Sequence, residues 1–127
     1  MKYLCLIHRD ENVIAALSEA EITALEEEHL AYDDELRKCG HFIAAEALQN
    51  GHDSTIVKIR NGKMIVTDGP FPESKAFLAG YWIIDVESSE EAYKLAARAS
   101  AAPGPGGKPG NIPIEVRQIM SGPPEDV

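Results

Sequence analysis

The chain has 127 residues, with 12 basic and 21 acidic side chains that give a formal net charge of −9. Hydrophobic residues make up 44% of it and charged residues 26%, which is typical of a single soluble globular domain and excludes a disordered, collagen-like or disulfide-scaffold chain. A surface this negative repels phosphate backbones and anionic lipid, so we expect neither nucleic acid nor a membrane surface as a partner.

The first predicted element is a strand from Lys2 to His8. Its apolar residues occupy both faces, which is typical of a strand covered on both sides. The run from Tyr3 to Ile7 is too short for the core of a signal peptide or for a membrane span. We therefore expect a cytoplasmic protein in which Cys5 and Cys39 form no disulfide.

A helix is predicted to follow, from a capping box formed by Ser18 and Glu21 to about Cys39, where Gly40 can adopt a left-handed conformation. Residues at steps of three and four define one face of this helix: Ile22, Leu25, His29, Tyr32 and Leu36. His29 therefore lies in the middle of the stripe that should face the core.

The second half of the chain alternates strands with one more helix. Strands are predicted at Phe42 to Leu48, Thr55 to Arg60, Lys63 to Thr67, Leu78 to Val86 and Ile112 to Met120. Asn61-Gly62 is a strong hairpin signal between two of them, because both turn residues tolerate positive φ. The second helix is predicted to begin with a capping box of Ser88 and Glu91. Residues 68–72 and 103–110 are predicted to be loops, and 121–127 a short polar tail.

This order predicts one α+β domain over residues 1–127, most simply a ferredoxin-like sandwich with two helices on one face of a mostly antiparallel sheet. At least two of the predicted strands are apolar on both faces, while two helices can cover only one face. A second copy of the chain is the simplest cover for the other face, so we predict a homodimer.

Two side chains are the main candidates for chemistry. His29 could act as a general acid or base, or it could be a core histidine held by a structural hydrogen bond, for example to Tyr32 or Asp33. Asp68 follows a predicted strand and precedes Gly69, so it could enter a cleft and orient His29, or it could simply accept backbone hydrogen bonds in a turn.

Other residues are predicted to line such a cleft, and several kinds of site are excluded. Tyr32 and Trp82 could form an apolar wall, and His8 could share the cleft from the end of the first strand. Patterns that would hold zinc, a phosphate loop or a nucleophile elbow are absent from the sequence, so no metal and no cofactor are expected.

Residues 66–75, which read V-T-D-G-P-F-P-E-S-K, followed by A-G-Y-W-I-I-D-V at 79–86, resemble the DGPF-motif branch of the YCII-related family. The resemblance extends to M-K-Y-L-C-L-I at the start, to H-L-A-Y at 29–32 and to I-E-V-R-Q-I-M at 114–120, so it spans nearly the whole chain. It implies a ferredoxin-like domain that pairs as a dimeric α+β barrel. It also implies an active-site pair of a helix histidine and an aspartate, which fall on His29 and Asp68.

Two functions follow from the residues and the resemblance together. One is a small cofactor-free enzyme, lyase-like, in which His29 and Asp68 move a proton on a small acidic or aromatic substrate; some relatives eliminate chloride from aromatic breakdown products. The other is a non-catalytic ligand-binding or regulatory dimer, because DGPF members are often encoded beside extracytoplasmic-function sigma factors and could associate with one.

Overall fold

The computed structural model describes residues 1–69 and 76–120. Most of the predicted 68–72 loop, with Pro70 and Phe71 of the DGPF motif, lies outside the described residues, as does the predicted tail at 121–127. The strands are β1 (Lys2–Asp10), β2 (Phe42–Ala47), β3 (Thr55–Arg60), β4 (Lys63–Asp68), β5 (Ala76–Asp85) and β6 (Ile114–Gln118). The helices are α1 (Glu11–Ala15), α2 (Glu19–Lys38) and α3 (Ser89–Ser100), and short 3₁₀ turns lie at Gly51–Asp53 and Pro105–Gly107.

The main sheet has four strands in the order β2-β5-β1-β6, and each neighbouring pair is antiparallel. With α2 and α3 packed on one face, this is the α+β arrangement that the sequence predicts, consistent with a ferredoxin-like fold. The predicted hairpin is also confirmed. β3 and β4 form a separate two-stranded sheet, joined by Asn61 and Gly62 with φ of 52° and 76°.

The helix starts follow the predicted capping chemistry closely. The Ser18 hydroxyl accepts from the Glu21 amide at 3.1 Å, and the Glu21 carboxylate accepts from the Ser18 amide at 2.8 Å. At α3 the box is half formed, because Ser88 accepts from the Glu91 amide whereas the Glu91 carboxylate accepts from the amide of Glu87. The short helix α1 was not predicted, and Asp10 caps it by accepting from the Asn12 amide at 2.8 Å.

The core lies between the helices and one face of the main sheet. It is formed by alternate residues of β1 and β5 and by inward residues of the helices, including Tyr3, Cys5, Ile7, Tyr32, Leu36, Trp82, Ile84, Ala92 and Ala99. Strand β2 approaches β5 closely at Gly80, where an added Cβ would lie 2.7 Å from the carbonyl oxygen of Glu46. None of the described helices is both long and apolar enough to cross a membrane.

Candidate functional site

A cavity of about 330 Å³ lies between α2 and the helix-facing side of the sheet. Its polar lining includes Arg9 from β1 and His29 and Asp33 from α2, and Trp82 from β5 forms an aromatic wall. Much of the remaining wall consists of small residues of β2 and β5: Ala45, Ala47, Ala79 and Gly80. Small side chains opposite a long helix leave room for a ligand, since ligand sites in proteins start at roughly 300 Å³.

The periods of the helix and the strand bring the polar groups of this cavity together. His29 follows buried Leu25 and precedes buried Tyr32 on α2, so its ring is directed toward the sheet and is half-buried. Arg9 stands two residues after buried Ile7 on β1, and therefore on the same face of the strand. The guanidinium of Arg9 consequently enters the sheet side of the cavity opposite His29.

Arg9 and His29 are joined by a long hydrogen bond. The guanidinium nitrogen lies 3.4 Å from Nε2 of His29, and an arginine can only donate, so Nε2 accepts. The imidazole in this arrangement is neutral, with its proton on Nδ1. Burial lowers the pKa of His29, and the positive charge of Arg9 lowers it further, against the opposing effect of the carboxylates of Asp33, Glu28 and Glu26. His29 is thus held as a neutral base.

Trp82 is fixed by contacts on three sides. Its indole Nε1 donates to Oδ1 of Asp33 at 2.7 Å. The rings of His29 and Tyr32 both meet it edge-on, with centroids 5.7 and 4.9 Å away. Tyr32 is buried, and its hydroxyl donates to the carbonyl of Leu95 at 2.6 Å. Trp82 therefore forms a rigid wall of the cavity, while Tyr32 supports it from behind instead of facing the cavity.

The five predicted site residues do not all meet. His29 and Trp82 line the cavity, and Tyr32 contacts Trp82. His8 lies between Ile7 and Arg9 but points away, because Nε2 of His8 pairs with Glu115 at 3.2 Å and the residue lines a separate cavity of about 510 Å³.

Asp68 is placed apart from His29 within one chain. It is the exposed last residue of β4 and pairs with Thr55 in the hairpin. It does not line the cavity, and among the described residues no hydrogen bond or ion pair joins it to His29. The predicted orienting role of Asp68 therefore has no support from the geometry of a single chain.

Sequence reasoning missed Arg9 and assigned Asp33 only a possible contact with His29. The alternation of β1 carries a signal for Arg9, since Ile7 and Arg9 share a face once the strand extends beyond His8. Asp33 faces Trp82 because it follows Tyr32 on the inward side of α2, which is visible only when the sheet is in place. Over residues 1–69 and 76–120, no three His, Cys, Asp or Glu side chains are grouped so that they could hold a metal ion.

The order of strands and the helices on one face define an α+β protein with a cavity between helix and sheet. The family model of the YCII-related domain matches residues 1–105, and the chain belongs to that family. It is also similar to an uncharacterised protein from Rhizobium meliloti (strain 1021), with 30% identity over 102 residues, which are 80% of this chain and 82% of that protein. The family match covers every residue named above as lining the cavity.

Proposed function

We propose that the protein is a small cofactor-free enzyme in which His29 transfers a proton on a small acidic or aromatic substrate. The observation that carries this proposal is a neutral imidazole, half-buried in a cavity beside an arginine and an aromatic wall. In the lyase-like form of the reaction, Nε2 removes a proton from carbon. The electrons of the C–H bond then form a double bond, and the leaving group departs with its electron pair.

Within one chain, we assign supporting roles beside His29 to Arg9 and Asp33. Arg9 is placed to hold an anionic group, and Asp33 positions Trp82. A role for Asp68 requires its delivery from outside the cavity, for example by the hairpin of a partner subunit. We propose further that the chain is a member of the DGPF branch, on the strength of D-G-P-F at residues 68–71, and that it is a cytoplasmic protein.

The experiment that tests proton transfer is solvent deuterium incorporation, followed by NMR in D₂O. Phenylpyruvate is a suitable probe because its CH₂ group is acidic and the molecule has one ring and one carboxylate; phenylacetone is its neutral counterpart. We expect the wild-type protein to accelerate exchange over buffer for at least one of them. His29→Gln should slow exchange by roughly 10²- to 10⁴-fold, the range for a general base.

The matched control is His8→Gln, since His8 is a histidine of strand β1 that does not line the cavity. It should leave the rate of exchange unchanged. Equal exchange by the wild type and His29→Gln, or no acceleration over buffer by the wild type, would reject the assignment of His29 as the base.

A homodimer is the second part of the proposal, supported by apolar surface that a single chain leaves open. One face of the hairpin carries Val57, Ile59, Met64 and Val66, each between 53% and 69% exposed. A two-stranded hairpin alone is marginally stable in water, and an apolar face of this kind marks an interface. The open face of the main sheet is also apolar, with Leu4, Leu6, Tyr81 and Ile83 only half-buried.

Sedimentation equilibrium tests the dimer directly. We expect twice the chain mass at micromolar concentration, and a shift toward monomer when Val57 and Met64 are both replaced by Asp. Lys58→Asp, on the other face of the same hairpin, is the matched control. A monomeric wild type would contradict the homodimer.

A non-catalytic ligand-binding or regulatory dimer is the alternative, and the exposed hairpin face favours it because the same surface could receive a protein partner such as a sigma factor. The two functions differ in one measurement. Binding of an aromatic acid at the cavity without any His29-dependent exchange would favour the regulatory function.

A further inference from the structure

We propose that Arg9 is the anchor for a single carboxylate, and that the cavity beside it binds a monocarboxylic acid with one aromatic ring. This inference rests on the proposed function, because it names the substrate class of the same cavity.

The charge of Arg9 lacks a counterion in the described part of the chain. The guanidinium is half-buried, and its side-chain hydrogen bond there is the 3.4 Å contact with the neutral ring of His29. A desolvated cation is normally paired with an anion, since desolvation penalises an isolated charge. A guanidinium binds a carboxylate through two parallel N–H donors, so its free donors fit that group best.

The neighbouring carboxylates do not fill this role. Asp33 lines the same cavity, but its Oδ1 accepts from Trp82 at 2.7 Å. Glu26 and Glu46 also line the cavity, and both are exposed. Three carboxylates therefore line the same cavity as one guanidinium, and a second negative charge on the ligand would be repelled by them. The cavity therefore favours a monoanion over a dianion or a phosphate ester.

The remaining walls define the rest of the ligand. Trp82 offers an aromatic surface, and Ile7 and Gly80 contribute apolar surface around it. A volume of about 330 Å³ corresponds to roughly eleven waters at about 30 Å³ each, or a ligand of about a dozen non-hydrogen atoms. One ring with a short acid side chain meets this size.

Binding of a carboxylate would also change the surroundings of His29. The guanidinium now donates weakly to Nε2, and the length of that bond makes it easy to exchange for a charged acceptor. When Arg9 turns to the ligand, Nε2 loses its donor and its lone pair becomes available to the same ligand. The arrangement links the arrival of the acid to the availability of the base.

The test uses benzoate as the probe, with benzamide as its neutral counterpart and isophthalate as its dianionic one. Binding is followed by Trp82 fluorescence and by NMR of the wild-type protein, Arg9→Gln and Arg117→Gln. Arg117 is an exposed arginine of β6 outside the cavity, so its variant is the matched control.

We expect benzoate to bind the wild type more tightly than benzamide or isophthalate does. Arg9→Gln should lower the affinity for benzoate at least 10-fold, as expected for the loss of a charge-assisted hydrogen bond, and should leave the affinity for benzamide unchanged. Arg117→Gln should bind benzoate as tightly as the wild type does. Equal binding of benzoate and benzamide by the wild type, equal benzoate affinity in Arg9→Gln, or no benzoate binding at 10 mM would overturn the proposal.

Two further readouts keep the outcome decisive. If Arg9→Gln does not fold, the ¹⁵Nε signal of Arg9 in the wild type decides, since it must shift with benzoate and not with benzamide. The deuterium exchange experiment separates this inference from the proposed function. Exchange of phenylpyruvate that depends on His29 but not on Arg9 would support the enzyme and reject the carboxylate anchor. Binding of benzoate that depends on Arg9, without exchange that depends on His29, would support the carboxylate anchor and reject the proposed enzyme.

Discussion

Replacing Asp33 tests whether this carboxylate positions Trp82. In the structure, Oδ1 of Asp33 accepts from Nε1 of Trp82 at 2.7 Å, and Trp82 is only 5% exposed. Asp33→Ala leaves the indole N–H without a partner in a buried position, which costs about 1–3 kcal/mol. Asp33→Asn keeps an oxygen acceptor in the same place and loses only the charge, so its cost should be below about 1 kcal/mol.

For a domain of 127 residues, about 2 kcal/mol corresponds to a fall in Tm of roughly 6–8 °C. Urea unfolding followed by fluorescence measures the change, because Trp82 is the single tryptophan of the chain. All variants are compared at one protein concentration, since association would shift the apparent stability.

The control is Asp34→Ala, the next residue on the same helix. Asp34 is exposed and pairs with Arg37 at 3.2 Å, an i,i+3 surface contact worth less than about 0.5 kcal/mol. Equal losses for Asp33→Ala and Asp34→Ala would refute the reasoning. An Asp33→Asn variant as unstable as Asp33→Ala would show that the charge, and not the acceptor, is what Trp82 requires.

Three further predictions concern titratable groups. The pKa of His29 is lowered in the folded chain, so the unfolded chain takes up a proton on His29 at a higher pH than the folded chain does. The free energy of unfolding should therefore decrease as the pH is lowered through about 6.5. Urea titrations should show a smaller decrease for His29→Gln. Arg9→Gln should raise the pKa of His29 in an NMR titration, because a nearby positive charge is removed; an unchanged or lower pKa would contradict this. Burial raises the pKa of the Cys5 thiol to about 11, while Cys39 is exposed. An aromatic disulfide reagent should therefore titrate one thiol in the native chain and none after Cys39→Ser; two would be contrary to expectation.

The fold could be predicted where the signal is local. The capping box at Ser18 and the Asn61-Gly62 turn depend on neighbouring residues alone, and both form as predicted. The helix stripe also placed His29 on the inward face of α2, because helical spacing does not depend on the partner. The start of α2, the hairpin turn and the position of one site residue therefore followed from short stretches of sequence.

The rest of the site depends on pairing between distant strands. His8-Arg9-Asp10 is a polar run, and the sequence predicts that β1 ends at His8. In the structure β1 continues, because Arg9 pairs with Phe77 and Asp10 with Ala76 of β5. Only this continuation places Arg9 in the cavity. For Asp68, the sequence predicts a position at the end of a strand, because turn residues follow it directly. The direction in which the hairpin leaves the sheet depends on distant residues, so the sequence alone does not show whether Asp68 reaches the cleft.

The small residues of the cavity wall give a last test of whether this space serves binding. Ala45 of β2 is half-buried, packs against the core and lines the cavity. A larger apolar residue at this position would bury more apolar surface, which stabilises the folded chain by about 25 cal/mol per Å². Selection for stability alone would therefore favour the larger residue. Ala45→Leu should therefore keep or raise the Tm while abolishing benzoate binding. Retained binding with a lower Tm would mean that the leucine is not accommodated in the cavity, and that the empty volume is not where the acid sits.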